Sequence, residues 1–306
     1  MGGAMRGFLR KTALFSLLVL LALLAGELAM RRVPNVYAYK NHWMLAHSSR
    51  LTTLILGNSV SLEGIDPALL GEGAFNLAMS AQTLEQDRYL LEHYAPYPQL
   101  KTVILPLTEN LFSPELEATP SLSVRVAYYQ IYMGWNKHGP LSKFNYELSN
   151  LNACRAKREA YRQLRAEGKE LACDSLGYAP ELLADKSERW AKQGYATFPK
   201  GIDIDSTMRV NERYLQEMVR FCHANHVRLI VVTLPQWRKE TPMPEGYHER
   251  IASMGRRLAQ ESGVEYLDFL DDRRFTEDDF FDVSHLSDVG ARKFTLILRE
   301  HLLRQP

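Results

Sequence analysis

Two short stretches carry the residue types from which a reaction could be built. Leu54-Ile55-Leu56-Gly57-Asn58-Ser59 runs an apolar strand into a small-residue turn ending on a serine. Near the other end, Phe281-Asp282-Val283-Ser284-His285-Leu286 places a carboxylate three residues before an imidazole. In this order they supply a nucleophile (Ser59), a base (His285) and an orienting carboxylate (Asp282). A serine hydroxyl is a poor nucleophile until a base takes its proton. A carboxylate on the far imidazole nitrogen fixes the tautomer and stabilises the imidazolium. Each stretch alone has a plainer reading. Gly, Asn and Ser favour strand-ending turns, and Asp-x-x-His can be a helix cap beside a surface histidine. Their pairing points to acyl-transfer chemistry.

The elements around these residues must bring them together. Leu51 to Leu56, Phe75 to Ala78, Thr102 to Leu107, Val227 to Leu234 and Glu265 to Phe269 read as strands. Thr83 to Tyr94, Val210 to Asn225, Pro244 to Ser262 and Ser287 to Leu303 read as helices, the last capped by Ser287 with Asp288 in its first turn. Strands alternating with helices imply a parallel sheet covered on both faces. Ligands of such sheets bind beyond the carboxyl ends of the strands. Ser59 follows the first strand and His285 follows the last, so both belong on one edge. From about Ser113 to Met208 the alternation stops, and helical patches take over at Ser123 to Trp135, Ala153 to Glu167 and Pro180 to Gln193. This stretch is too long for an ordinary crossover and reads as an inserted helical cap. Its aromatic residues could stack on sugar rings, though helix core packing explains most of them just as well.

The N-terminus adds a compartment. Arg6, Arg10 and Lys11 precede the run from Thr12 to Met30, which only Ser16, Gly26 and Glu27 interrupt before Arg31 and Arg32 close it. That is the length of a membrane-spanning helix. A cleaved signal peptide is the rival reading; Leu23 stands where a cut after Ala25 would need a small residue. Cys154 and Cys173 lie in one segment and could pair in an oxidising compartment, whereas Cys222 reads as a buried thiol.

Other function classes lack support. The net charge of +1 leaves no basic footprint for nucleic acid. No Walker loop, HExxH motif or zinc-type cysteine pair occurs. Gly71-Glu72-Gly73 begins like a dinucleotide loop, but Asn76 stands in place of the third glycine. His223 and His226 read as surface histidines at a helix end, and His42 and His47 lack a ligand framework. The acidic stretch Asp271 to Asp282 lacks the glycine and spacing of a calcium loop. No metal or organic cofactor is expected.

Gly57-Asn58-Ser59 after an early strand, with a late Asp282-x-x-His285, resembles the SGNH (GDSL-type) hydrolase superfamily. The resemblance covers about Leu51 to Leu303 apart from the insertion, with Asn58 where aspartate is more usual. It implies a flavodoxin-like sheet and a Ser-His-Asp triad. It also implies oxyanion donors on the next two blocks: a glycine after the second strand and an asparagine after the third. Asn110 matches the asparagine, followed by Leu111 rather than the usual aspartate. At the glycine block the chain has Ala78-Met79-Ser80, so a backbone N–H of Met79 or Ser80 would have to serve. With its anchor and insertion, the layout is similar to a membrane-anchored envelope branch that includes proteins of teichoic-acid D-alanylation and alginate acetylation. That similarity implies a periplasmic or extracellular acyl-ester enzyme, often cooperating with a membrane-bound O-acyltransferase.

The expected architecture is a flavodoxin-like, parallel five-stranded α/β sheet with helices on both faces, a helical insertion between strands 3 and 4, and an N-terminal transmembrane helix. The expected divisions are a tail at 1–11, an anchor at 12–32, a juxtamembrane segment at 33–50 and a hydrolase domain at 51–306 with its cap at 113–208. The expected activity is that of a serine esterase or O-acyltransferase working on acyl esters of a cell-envelope polysaccharide through an acyl-Ser59 intermediate. It would be held by one span in the inner (plasma) membrane with the catalytic domain outside. A catalytically silent glycan-binding or assembly subunit and a lipid-directed esterase are the alternatives.

Overall fold

The computed structural model describes residues 2–119, 122–182, 202–237 and 245–304. In chain order the helices are α1 (Gly2–Arg31), α2 (Val36–His47), α3 (Ser59–Gly64), α4 (Leu84–His93), α5 (Ser123–Met133), α6 (Leu151–Ala166), α7 (Ile204–Ala224), α8 (Tyr247–Ser262) and α9 (Asp288–Arg304). The strands are β1 (Thr53–Ile55), β2 (Ala74–Asn76), β3 (Thr102–Pro106), β4 (Arg228–Thr233) and β5 (Glu265–Asp268). They form one parallel sheet in the order β2-β1-β3-β4-β5. This is the flavodoxin-like order, in which the chain reverses its direction of winding between β1 and β3.

The chain packs as two units. One comprises Met1–Asn41 and Ser121–Ala172; the other comprises His42–Pro120 and Cys173–Pro306. The second holds the sheet. All of β3 is buried, as a strand covered on both faces must be. Ile55, Ile104 and Val232 of adjacent strands share a core with Ile65, Phe280, Phe294 and Leu298. Helix α3 packs on α9, and α4 packs on α7. Helix α8 lies against β5, where the Tyr266 ring occupies the space that a Cβ on Gly255 would need.

In the other unit, the end of α1 is joined to the insertion. The Glu27 carboxylate accepts the backbone N–H groups of Glu147 and Leu148, each at 3.0 Å, and Arg31 Nε at 2.7 Å. Arg31 Nη2 donates to Asn145 O at 2.6 Å. Lys157 of α6 donates to Met30 O at 3.0 Å and to Tyr132 and Glu147 at 2.6 Å each. Lys157 and Glu147 are almost closed to water, so each depends on the other to offset its lost hydration. The Tyr37 ring lies 5.2 Å from both Tyr128, tilted, and Tyr129, edge-to-face. The aromatic residues of α5 are therefore packing residues.

The N-terminal part of α1 exposes Leu14, Phe15, Leu18 and Leu20. Ala4–Arg31 is long and apolar enough to cross a membrane, with a mean hydropathy of 2.3 in its best window. Signal sequences share those properties.

The stretch 113–208 contributes to both units. Residues 113–119 stay with the sheet, 121–172 join α1, and the described residues from 173 onward return to the sheet unit. Polar groups at the end of α1 are the physical reason, because Glu27 and the Met30 carbonyl take their donors from the insertion. Residues 33–50, the expected juxtamembrane segment, are mostly helical, as α2. Of the expected helix from Pro180 to Gln193, residues 183–193 lie outside the described residues; Glu181 instead bridges Ser287. Cys154, Cys173 and Cys222 form no disulfide, so the pairing weighed for the first two is not seen.

The β1–α3 turn positions Ser59. Gly57 has φ +112°, and a Cβ there would lie 2.1 Å from Pro106 Cγ. Gly57→Ala is expected to destabilise the fold by about 3 kcal/mol through strain at positive φ and overpacking against Pro106. Denaturant unfolding checks this; a loss below about 1 kcal/mol would mean the turn relaxes freely.

Candidate active site

Ser59 owes its place to three local features. Strand β1 ends in the left-handed turn at Gly57, whose N–H donates to the buried Asp87 carboxylate at 2.7 Å. Asn58 caps α3, its side chain accepting the Val60 N–H at 3.3 Å. Ser59 is then the first residue of that helix. Behind the turn, Gln82 also donates to Asp87, at 2.6 Å. Burial drives the Asp87 pKa up to about 7 against the pull of these two donors. Asn76 braces the far end of α3, donating to Ser61 O at 2.8 Å and Ile65 O at 3.0 Å.

His285 arrives from the opposite end of the chain, on the loop between β5 and α9. Asp282 organises that loop: its Oδ1 accepts the backbone N–H groups of Ser284 at 2.8 Å and His285 at 2.9 Å. Both carboxylate oxygens also meet His285 Nδ1, at 2.9 and 3.0 Å. The other ring nitrogen, Nε2, lies 2.8 Å from Ser59 Oγ. The three residues singled out for chemistry thus form one chain of hydrogen bonds. With the Nδ1 proton held by Asp282, Nε2 of the neutral ring is the acceptor for the serine hydroxyl.

Further carboxylates surround the imidazole. Glu63, one turn along α3 from Ser59, places Oε2 at 3.7 Å from His285 Nε2. Glu109, just after β3, is held by Asn58 Nδ2 at 3.2 Å and the Tyr247 hydroxyl at 3.2 Å. Burial alone would lower the His285 pKa. The Asp282 hydrogen bond and the charges of Glu63, Asp282 and Glu109 outweigh it and push the value up to about 9. Burial would raise the Asp282 pKa, but the hydrogen bond and charge of His285, with the N–H groups of Ser284 and His285, hold it below the usual range.

The expected oxyanion donors lie on the turns that follow β3 and β2. Asn110 is buried and closes the turn after β3: Nδ2 donates to Pro106 O at 3.0 Å, and Oδ1 accepts the Thr108 N–H at 2.9 Å. Its own carbonyl is held by Asn211 at 3.2 Å. The Met79 N–H donates to Gly57 O at 3.0 Å. Ser80 lies in the turn that follows. Among the described residues, no cluster of three or more His, Cys, Asp or Glu is arranged to hold a metal ion.

Sequence reasoning missed Glu63, Glu109 and Asp87. Glu63 was accessible in principle, since it stands four residues after Ser59 and would share a helix face with it. It could be found only by recognising α3, whose six residues carry too little periodicity to read.

No protein-family model matches the chain, and no curated protein matches it. Solved structures resemble it loosely. A candidate acylhydrolase from Bacteroides fragilis is 13% identical over 88% of this chain and 94% of its own, with a TM-score of 0.43. A GDSL-like lipase from Bacteroides thetaiotaomicron is 11% identical over 89% of this chain and 100% of its own, with a TM-score of 0.45. A candidate platelet activating factor from Streptococcus pneumoniae is 11% identical over 95% of this chain and 99% of its own, also at 0.45.

Because Glu63 helps hold the imidazolium, Glu63→Gln is expected to lower the His285 pKa from about 9 to roughly 8. A pH titration of the His285 ring by NMR measures this. An unchanged value would show that the Glu63 charge is screened from the ring.

Proposed function

We propose that this chain is a membrane-anchored, SGNH-type serine esterase or O-acyltransferase acting on acyl esters of a cell-envelope polysaccharide. The observation that carries the chemistry is the unbroken chain Ser59 Oγ to His285 Nε2 at 2.8 Å and His285 Nδ1 to Asp282 at 2.9 Å. Its parts come from opposite ends of the sequence and meet at the carboxyl ends of parallel strands, where open α/β sheets place their ligands.

In the proposed reaction, His285 Nε2 takes the Ser59 hydroxyl proton as Oγ bonds to the acyl carbon. The tetrahedral intermediate collapses when the imidazolium returns that proton to the leaving alcohol oxygen, whose bond to the acyl carbon breaks. This leaves acyl-Ser59. Water or a glycan hydroxyl then loses a proton to His285 and attacks, releasing Ser59. Water completes hydrolysis; a glycan hydroxyl completes transfer. Asp282 holds the ring and stabilises its cation throughout. In this reading Ser80 supplies the backbone N–H to the oxyanion; the Met79 amide donates to Gly57 O. Asn110 contributes by shaping the turn that carries Glu109.

The anchoring part of the proposal is supported by α1 itself. Its exposed apolar face suits lipid, and its last turns are structural members of the unit they join. The body would then lie outside the inner membrane, where exported polysaccharide is found, with a membrane-bound O-acyltransferase as a partner.

Hydrolysis of a short acyl ester by the full chain tests the chemistry. Ser59→Ala and His285→Ala are each expected to lower kcat by about 10⁶, and Asp282→Asn by about 10⁴, with folding retained. Near-normal turnover in either alanine variant would end the assignment. Only the neutral imidazole accepts a proton, so kcat/KM should climb with pH along a limb centred near 9. In Glu63→Gln that limb should move to lower pH. A flat profile through that range would mean that proton transfer to His285 does not control the rate.

A further inference from the structure

The end of α1 and the insertion border an open cavity of about 880 Å³ that the proposed chemistry does not use. One wall is apolar, made by Ala29, Met30 and Val33 with Leu148 and Leu151. The other is the face of α6 bearing Arg155, Arg158 and Arg162, whose spacing of three and four residues puts them in one row. Glu159 also lines the cavity, but it is paired with Arg162 at 2.6 Å. Arg155 and Arg158 are exposed and make no hydrogen bond or ion pair with any described residue. The cavity therefore combines an apolar wall with two cations that no neighbour neutralises.

Its place along the chain is equally specific. Met30 ends the apolar run, and Arg31 and Arg32 follow it. In a spanning helix such a border falls where acyl chains give way to headgroups. We propose that this cavity binds one anionic phospholipid from the bilayer, its phosphate on Arg155 and Arg158 and the first carbons of its chains along Ala29, Met30 and Val33. The inference rests on the membrane-anchored part of the proposed function and is independent of the chemistry at Ser59. The bound lipid would fix the attitude of α6 at the membrane surface.

The test is lipid retention by the full-length chain released from neutral detergent micelles in native mass spectrometry. Phosphatidylglycerol or phosphatidylcholine is supplied, each with and without inorganic phosphate. Phosphatidylglycerol is expected to stay bound and phosphatidylcholine to be lost, with inorganic phosphate at equal concentration leaving phosphatidylglycerol in place. A basic residue beside an anionic lipid strengthens binding about fivefold, so the double variant R155Q/R158Q is expected to weaken phosphatidylglycerol retention by about thirtyfold. R165Q is the control, because Arg165 lies on the same helix outside the cavity and pairs with Glu170. Equal retention of both lipids, or unchanged retention in R155Q/R158Q, would overturn the proposal. Displacement by inorganic phosphate would also overturn it, by showing a site for free anions. Circular dichroism confirms that the variants fold. Ester turnover is read separately, so loss of the Ser59 reading would leave the lipid result standing.

Discussion

The hydrogen bond between Ser59 and His285 joins residues 226 positions apart, and the form of the sheet unit follows from the need to make it. Each partner is held at the end of an element that cannot shift without disturbing the core. On the serine side, Gly57 turns where a side chain would strike Pro106, and Asp87 and Asn58 hold the turn from behind and from ahead. On the histidine side, Asp282 gathers three donors from the loop. Ser287 then ties the loop to α9: its Oγ donates to Asp278 O at 2.7 Å and accepts the Gly290 N–H at 3.2 Å. Gly290 has no room for a side chain, since a Cβ there would lie 1.9 Å from Asp279 O. The loop and α9 are thus fitted backbone to backbone.

Charge in the crevice sets the working range of the imidazole. Asp282 contributes a hydrogen bond and a charge; Glu63 and Glu109 contribute charge alone. Together they make His285 a stronger base than a free histidine, which favours taking a proton from a serine hydroxyl. The same charges keep more of the ring protonated at neutral pH, so basicity is gained at the expense of the population able to act. Glu109 is also a strut, linking Asn58 in the nucleophile turn to Tyr247 at the start of α8.

Much of this arrangement was legible in the sequence, for physical reasons. A continuous apolar run such as Val227 to Leu234 can be buried on both faces, and β4 lies within it. The small-residue turn after β1 and the Asp282-x-x-His285 spacing located the chain of hydrogen bonds, because local geometry alone lets Asp282 reach its own imidazole. The less legible features depend on distant contacts. Helix α7 begins at Ile204, ahead of its expected start, because Asp203 caps it by accepting the Ser206 N–H. Asn110 has the type and place expected of an oxyanion donor, and one of its two amide N–H groups also holds the backbone of its own turn. That contact depends on Pro106 in three dimensions, and no spacing rule encodes it. Likewise, nothing in the run from Thr12 to Met30 announces that Glu27 will cap residues 147 and 148.

The two units share an economy of polar groups. In each, one carboxylate accepts backbone N–H groups from a distant stretch: Asp87 from Gly57 in the sheet unit, and Glu27 from Glu147 and Leu148 in the other. The central claim concerns Ser59 as a nucleophile activated by His285. It is tested most directly by treating the full-length chain with a fluorophosphonate and mapping the adduct by peptide mass spectrometry. One phosphonyl group on Ser59, lost when His285 is replaced by alanine, is the expected result. An unmodified Ser59, or a modification on a different serine, would contradict it.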